Sequence, residues 1–246
     1  MPDVVRYGPH ADQFAEVCRP AGAAGPVVVL IHGGYWRPRY GCDLMRPLAA
    51  DLCSRGYTAV NLEYRRVGWP GIFEDVAAGL AAVRTVHKGR LALVGHSAGG
   101  QLALWAAGER ASGVSLVVSL AGITDLVEGA RRGLSDGAVR ELLGGGPDEV
   151  PDRYRAACPT LRLPLRVPHL VVHGTDDDAV PYDFAGRYVA AARAAGDPCE
   201  LLALPGVAHF ALIDPGSAAW TTVLAHLDGW ARGAGYEPGT KTTSTQ

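Results

Sequence analysis

The sequence predicts a doubly wound α/β domain on a mostly parallel sheet. Three observations carry this. Short, continuously apolar runs recur along the chain, as in strands covered on both faces. Amphipathic helical stretches alternate with those runs. The first two strand-like segments are separated only by GPHAD, a turn, which predicts an antiparallel hairpin at the start.

Taken in order, residues near 4–7 and 13–18 form that hairpin. Strands follow near 27–31 (VVVLI), 58–62 (TAVNL), 91–95 (LALVG), 115–120 (SLVVSL), 168–173 (PHLVVH) and 199–204 (CELLAL). Helices are expected between them. Residues 43–54 carry Leu44, Leu48 and Leu52 on one face, and residues 74–86 carry Val76, Leu80 and Val83. Residues 216–231 place Trp220, Val223, Leu224 and Leu227 on one stripe. Right-handed crossovers in such a sheet gather the functional loops at the carboxyl ends of the strands. Residues 126–165 break the alternation with a weak helix around 136–143, a triple glycine and several prolines. They are expected to form a small cap on a single domain spanning 1–232. The tail 233–246 lacks apolar periodicity and is expected to be disordered.

A chain of 246 residues buries enough surface to hold together without staples. Its net charge of -2 and lack of a basic stripe argue against nucleic acid or an anionic membrane as partner. No run approaches the ~18 apolar residues of a membrane span, and no secretory signal is evident at the N-terminus. The cysteines, Cys18, Cys42, Cys53, Cys158 and Cys199, are odd in number and scattered, with no C-x-x-C pair. Reduced thiols in a cytoplasmic protein are therefore expected. No metal-ligand cluster or cofactor motif is present, and no exposed apolar stripe assigns an oligomeric state.

The chemistry begins at residues 91–105, LALVGHSAGGQLALW. A strand runs into G-H-S-A-G and then into a small-residue helix, the pattern of a nucleophile elbow. Ser97 sits in a strained turn, which Gly95 and Gly99 permit by lacking side chains. The following helix aims its N-terminus at the reacting centre, and the backbone N–H of Ala98 is placed to meet developing negative charge.

Strand, elbow and helix together resemble the α/β-hydrolases, over roughly residues 4–232. The resemblance implies a triad in the chain order serine, acid, histidine. HLVVHGTDDDAVP at 169–181 offers three adjacent acids. The family pattern H-G-x-x-D-x-x-V-P maps onto His173, Gly174, Asp177, Val180 and Pro181, so the resemblance selects Asp177 ahead of Asp176 and Asp178. Two flanking carboxylates raise the pKa of any one of them unless a hydrogen bond from histidine holds it ionised. The base lies beyond the last strand, where only His209 and His226 occur. His226 falls off the apolar stripe of the terminal helix. His209 lies in the loop LPGVAHFALIDP and is the expected base. His96, His32 and His173 are read as packed or loop-bracing side chains.

Residues 32–36, HGGYW, follow the strand VVVLI. Gly33 and Gly34 allow backbone N–H groups to be aimed at a carbonyl oxygen, so with Ala98 they form the expected oxyanion hole. HGGYW is similar to the HGGxW motif of arylformamidases and related small esterases, and EYRR at 63–66 resembles that family's strand-end Y-R. The likeness implies Tyr35 and Trp36 beside the acyl site, with Trp69 at the same mouth, suiting a small acyl group and a flat aryl leaving group. Arg131, Arg132, Arg153 and Arg155 are the cap cations available for an acidic substrate end. The expected activity is hydrolysis of a small carboxylic ester or an N-formyl aryl amide, through an acyl-enzyme and without a cofactor. A small prolyl-oligopeptidase-like peptidase and a non-catalytic ligand-binding member of the fold are the alternatives. A dienelactone-hydrolase-like role fits less well, because the elbow carries serine and not cysteine.

Overall fold

The computed structural model describes residues 2–22, 25–109 and 112–233. Eight strands form one sheet: β1 (Asp3–Arg6), β2 (Phe14–Cys18), β3 (Val27–Ile31), β4 (Thr58–Leu62), β5 (Leu91–His96), β6 (Leu116–Leu120), β7 (His169–Gly174) and β8 (Cys199–Leu204). Their spatial order is β1-β2-β4-β3-β5-β6-β7-β8. β1 and β2 pair antiparallel, β2 joins β4 antiparallel, and every pairing from β4 to β8 is parallel. β3 through β7 are buried at every residue, which is why they are continuously apolar rather than alternating.

Helices cover both faces. On one face α1 (Arg46–Ser54) and α8 (Ala218–Ala231) pack Leu48, Leu52, Trp220, Val223 and Leu227 against Val28, Leu30, Val94 and Val118. On the other, α2 (Gly71–Val86), α3 (Ala98–Ala107) and α7 (Asp183–Ala194) cover Val29, Ile31, Leu93 and Val171. Each fully buried large aliphatic or aromatic side chain here contributes roughly 1.5–3 kcal/mol. The 14-residue α8 closes the sheet with Trp220 wholly enclosed.

The segment between β6 and β7 forms three short helices, α4 (Leu126–Arg131), α5 (Leu134–Leu143) and α6 (Pro151–Ala157). The weak helix expected around 136–143 lies within α5, whose first turn is kinked at Ser135, Asp136 and Gly137. The tail beyond Gly233 lies outside the described residues.

The cysteines correct the expectation. Cys18 and Cys53 form a disulfide, with Cα atoms 5.9 Å apart. They are 35 residues apart in sequence. Antiparallel pairing of β2 with β4 brings the end of β2 beside α1, which directly precedes β4. Cys42, Cys158 and Cys199 are free and buried. Among the described residues no helix is long and apolar enough to cross a membrane.

Candidate active site

Three loops meet at the carboxyl end of the parallel strands. The first is the turn from β5 into α3. Ser97 has φ 55° and ψ −121°, a conformation side-chain-bearing residues rarely adopt. Its N–H donates to Leu120 O at 2.8 Å, which anchors the turn to the neighbouring strand. A Cβ on Gly99 would stand 2.1 Å from Ile31 O, and one on Gly95 would stand 2.1 Å from Gly99 O. The strand and helix therefore approach each other only through glycine.

The second loop follows β7. Asp177 is the one of the three adjacent acids whose side chain is fully enclosed. Its Oδ1 accepts from the N–H groups of Ala179 and Val180 at 2.9 and 2.8 Å. Its Oδ2 lies 2.7 Å from Nδ1 of His209 and 3.3 Å from Nε2 of His173. Burial pushes this carboxyl upward, but hydrogen bonds from His173 and His209 outweigh it and hold the group well below the usual carboxylate range. Asp176 and Asp178 are exposed and take no part.

The third loop follows β8. His209 is 3% exposed and opens a short 3-10 turn. Its Nδ1 is committed to Asp177, while Nε2 has no hydrogen-bond partner among the described residues. His96 flanks Ser97 in the chain and reaches the same loop. Its Nε2–H donates to the carbonyl of His209 at 3.2 Å, and the two rings lie 4.5 Å apart. Burial, then the nearby His209, pushes His96 down to about 3, so it stays neutral. His96 thus ties the His209 loop to the elbow, a contact the sequence did not reveal. The Ser97 hydroxyl and Nε2 of His209 are not hydrogen-bonded to each other. In ligand-free hydrolases this contact is often long.

HGGYW lies across the elbow. A Cβ on Gly33 would fall 2.8 Å from the Cβ of Ser97, so glycine is required for the loop to lie so near. Gly34, Tyr35 and Trp36 have φ of 112°, 49° and 58° in succession. The N–H groups of Gly33, Gly34 and Ala98 donate to no acceptor among the described residues. Two aromatic side chains and a buried histidine–carboxylate contact secure this strained segment. The Tyr35 hydroxyl donates to Ala179 O in the Asp177 loop, and Trp36 Nε1–H donates to Oε1 of Gln101 on α3 at 3.2 Å. Beneath them, His32 stacks on Tyr64 with ring centroids 4.2 Å apart. Its Nδ1 lies 2.7 Å from Gly33 O and its Nε2 3.0 Å from Glu63 Oε1. Glu63 also accepts from the N–H groups of Cys42 and Tyr64. Burial raises the Glu63 carboxyl, but His32 and these N–H groups bring it below its ordinary value. The part of Glu63 in bracing the loop was missed from the sequence. A carboxylate ending a buried strand was the available signal.

The expected substrate-facing aromatics divide. Trp36 is 6% exposed and packed in the core, with its ring directed under the loop. Trp69 leans on Phe73 at 4.9 Å between centroids. Tyr35 and an edge of Trp36 border a cavity of about 310 Å³ between this loop and α5, shared with Arg37, Arg66 and Leu142. Trp69 is not part of that lining. Of the cap cations, Arg132 is paired with Glu128 and Asp183, Arg155 with Asp152, and Arg153 donates to Leu143 O. Among the described residues, no three His, Cys, Asp or Glu side chains gather to hold a metal.

Comparison with known proteins identifies the family and the fold. Esterase LipC of Mycobacterium tuberculosis is 28% identical, over 85% of this chain and 60% of that protein. The chain thus spans about three-fifths of that relative's length. A truncated carbohydrate esterase from gut microbiota superposes with a TM-score of 0.81 at 18% identity, covering 93% of this chain and 95% of the other. A thermophilic esterase of Thermogutta terrifontis gives 0.74 at 23% identity, covering 98% and 95%. Residues 17–189 match the BD-FAE family. The fold is that of the α/β-hydrolases, and the chain belongs to the BD-FAE family.

Proposed function

We propose that the protein hydrolyses small carboxylic esters through a Ser97–His209–Asp177 triad. One observation carries this reading. A histidine bonded at Nδ1 to a buried, ionised carboxylate is tied through its own carbonyl to His96, the residue before a strained elbow serine. His209 takes the Ser97 proton as Oγ attacks the carbonyl carbon. Asp177 fixes the tautomer and stabilises the imidazolium. The oxyanion is met by N–H groups of Gly33 or Gly34 and of Ala98, at the N-terminus of α3. His209 then protonates the leaving alkoxide, and water repeats the sequence on the acyl-enzyme. The cavity between the oxyanion loop and α5 receives the larger half of the substrate.

The same machinery is competent for an N-formyl aryl amide. That reading drew on an aromatic wall of Tyr35 and Trp36, and the ring of Trp36 is taken up by packing. Ester hydrolysis, the activity in the names of the related proteins, is therefore favoured. The test is kcat/KM on p-nitrophenyl acetate and on N-formyl-kynurenine side by side, with Ser97→Ala as control. The ester is expected to be turned over and the activity lost in Ser97→Ala. A formamide preference of about a hundredfold, roughly 2.7 kcal/mol of transition-state binding, would reverse the assignment. If neither is cleaved and a fluorophosphonate fails to label Ser97, the protein is a binding member of the fold.

A further inference from the structure

A second cavity, of about 170 Å³, lies at the opposite end of the sheet from Ser97. Val27 and Thr58, which border it, are the first residues of β3 and β4, whereas Ser97 follows the last residue of β5. The cavity runs between the hairpin and α2. Its floor is the register pair Val17 and Val60, and its roof is Gly79, Ala82 and Val83, whose small size leaves a slot beneath the helix. The lining is apolar over most of its length.

One end is different. Thr58 is 7% exposed, and its hydroxyl is buried with no hydrogen-bond partner among the described residues. His87, which caps α2 and borders the same cavity, has a buried Nε2 that is likewise unpartnered. Buried polar atoms are nearly always bonded, so two at one end of an apolar slot point to a ligand. Arg19 supplies a charge there. Cys18 pairs with Ala59, so Arg19 stands across from Thr58 at the slot's mouth. Its side chain is half exposed and gives one nitrogen to Asp3, which leaves further N–H groups to donate.

We propose that this slot binds a short aliphatic carboxylate, with its head at Thr58, His87 and Arg19 and its chain along Val17, Val60 and Val83. An apolar cavity of about 150 Å³ accepts a benzene molecule, so the space suits an acid of roughly four to six carbons. The site owes nothing to the chemistry at Ser97 and stands or falls apart from it.

The test is a titration of hexanoate into methyl-labelled protein, followed by NMR. Saturable shifts are expected at the methyls of Val17, Val60 and Val83. Thr58→Val, nearly isosteric, is expected to weaken binding roughly tenfold at those same methyls, the loss of one charge-assisted hydrogen bond. Hexanol, which lacks the charge, is expected to bind at least tenfold more weakly than hexanoate. Ala82→Leu fills the slot and is expected to abolish the shifts, with the melting temperature verifying its fold. Shifts confined to methyls around Ser97, or none up to the solubility limit, would overturn the proposal. Equal binding of hexanol, or an unaffected Thr58→Val, would overturn the carboxylate assignment.

Discussion

Two buried histidine–carboxylate pairs border the candidate active centre, and they do opposite things. In the first, Nδ1 of His32 lies against Gly33 O and Nε2 against Glu63, so both ring nitrogens are occupied and the ring is stacked on Tyr64. In the second, His209 gives Nδ1 to Asp177 and keeps Nε2 uncommitted. The residue types, the burial and the contact distances are similar. The second nitrogen makes the difference. An imidazole bonded on both sides can only brace, and one bonded on a single side keeps a nitrogen available for proton transfer.

This contrast can be broken deliberately. The largest effect is expected from Asp177→Asn, which keeps the shape but favours the wrong tautomer of His209. kcat should fall about 10⁴-fold, with KM and fold little changed. Glu63→Gln attacks the brace instead. It leaves the triad intact but releases Gly33 and Gly34 from their support, and kcat is expected to drop about 10- to 100-fold. It should also cost about 3 kcal/mol in denaturant unfolding, because a buried pair loses one partner. If Glu63→Gln lowered kcat as far as Asp177→Asn without loss of stability, the division into brace and base would be wrong.

The smallest effect concerns His96, which links the two regions. Its folded-state pKa is pushed down to about 3 by burial, then by His209, while the unfolded chain takes up the proton near ~6.5. The unfolded state therefore binds more protons across that window, and stability is lost as pH falls from about 6.5 towards 3. The slope is at most about 1.4 kcal/mol per pH unit for one such group. Asp177 and Glu63, both depressed, add to the loss only below the ordinary carboxylate range, near ~4. His96→Gln retains a donor for His209 O. It should flatten the stability profile between about pH 6.5 and 4, with activity at neutral pH reduced only a few-fold, as urea unfolding and initial rates at several pH values would check.

The sequence made some of this legible because the relevant forces act locally. Strands buried on both faces announce themselves as apolar runs, and the elbow is written in glycines at steric contact points. Asp177, which resemblance to the family pattern selects and local forces alone do not, is the one enclosed carboxylate of the three. Features set by distant neighbours were hidden. The Cys18–Cys53 bond depends on antiparallel pairing across the sheet edge. Trp36 turns inward because three successive residues adopt positive φ, which residue order alone does not announce. Glu63 came to brace the HGGYW loop only when parallel pairing of β3 and β4 brought it beside His32.

The path of the chain through α4, α5 and α6 decides how a change in the cap would be felt at the candidate site. That excursion leaves the sheet after β6 and returns at β7, while Ser97 follows β5 and His209 follows β8. The excursion is nonetheless wired to the elbow helix: Gln101, which holds Trp36, donates to the carbonyl of Ala157 at the end of α6 at 2.9 Å, so a change in the cap is transmitted to the HGGYW loop.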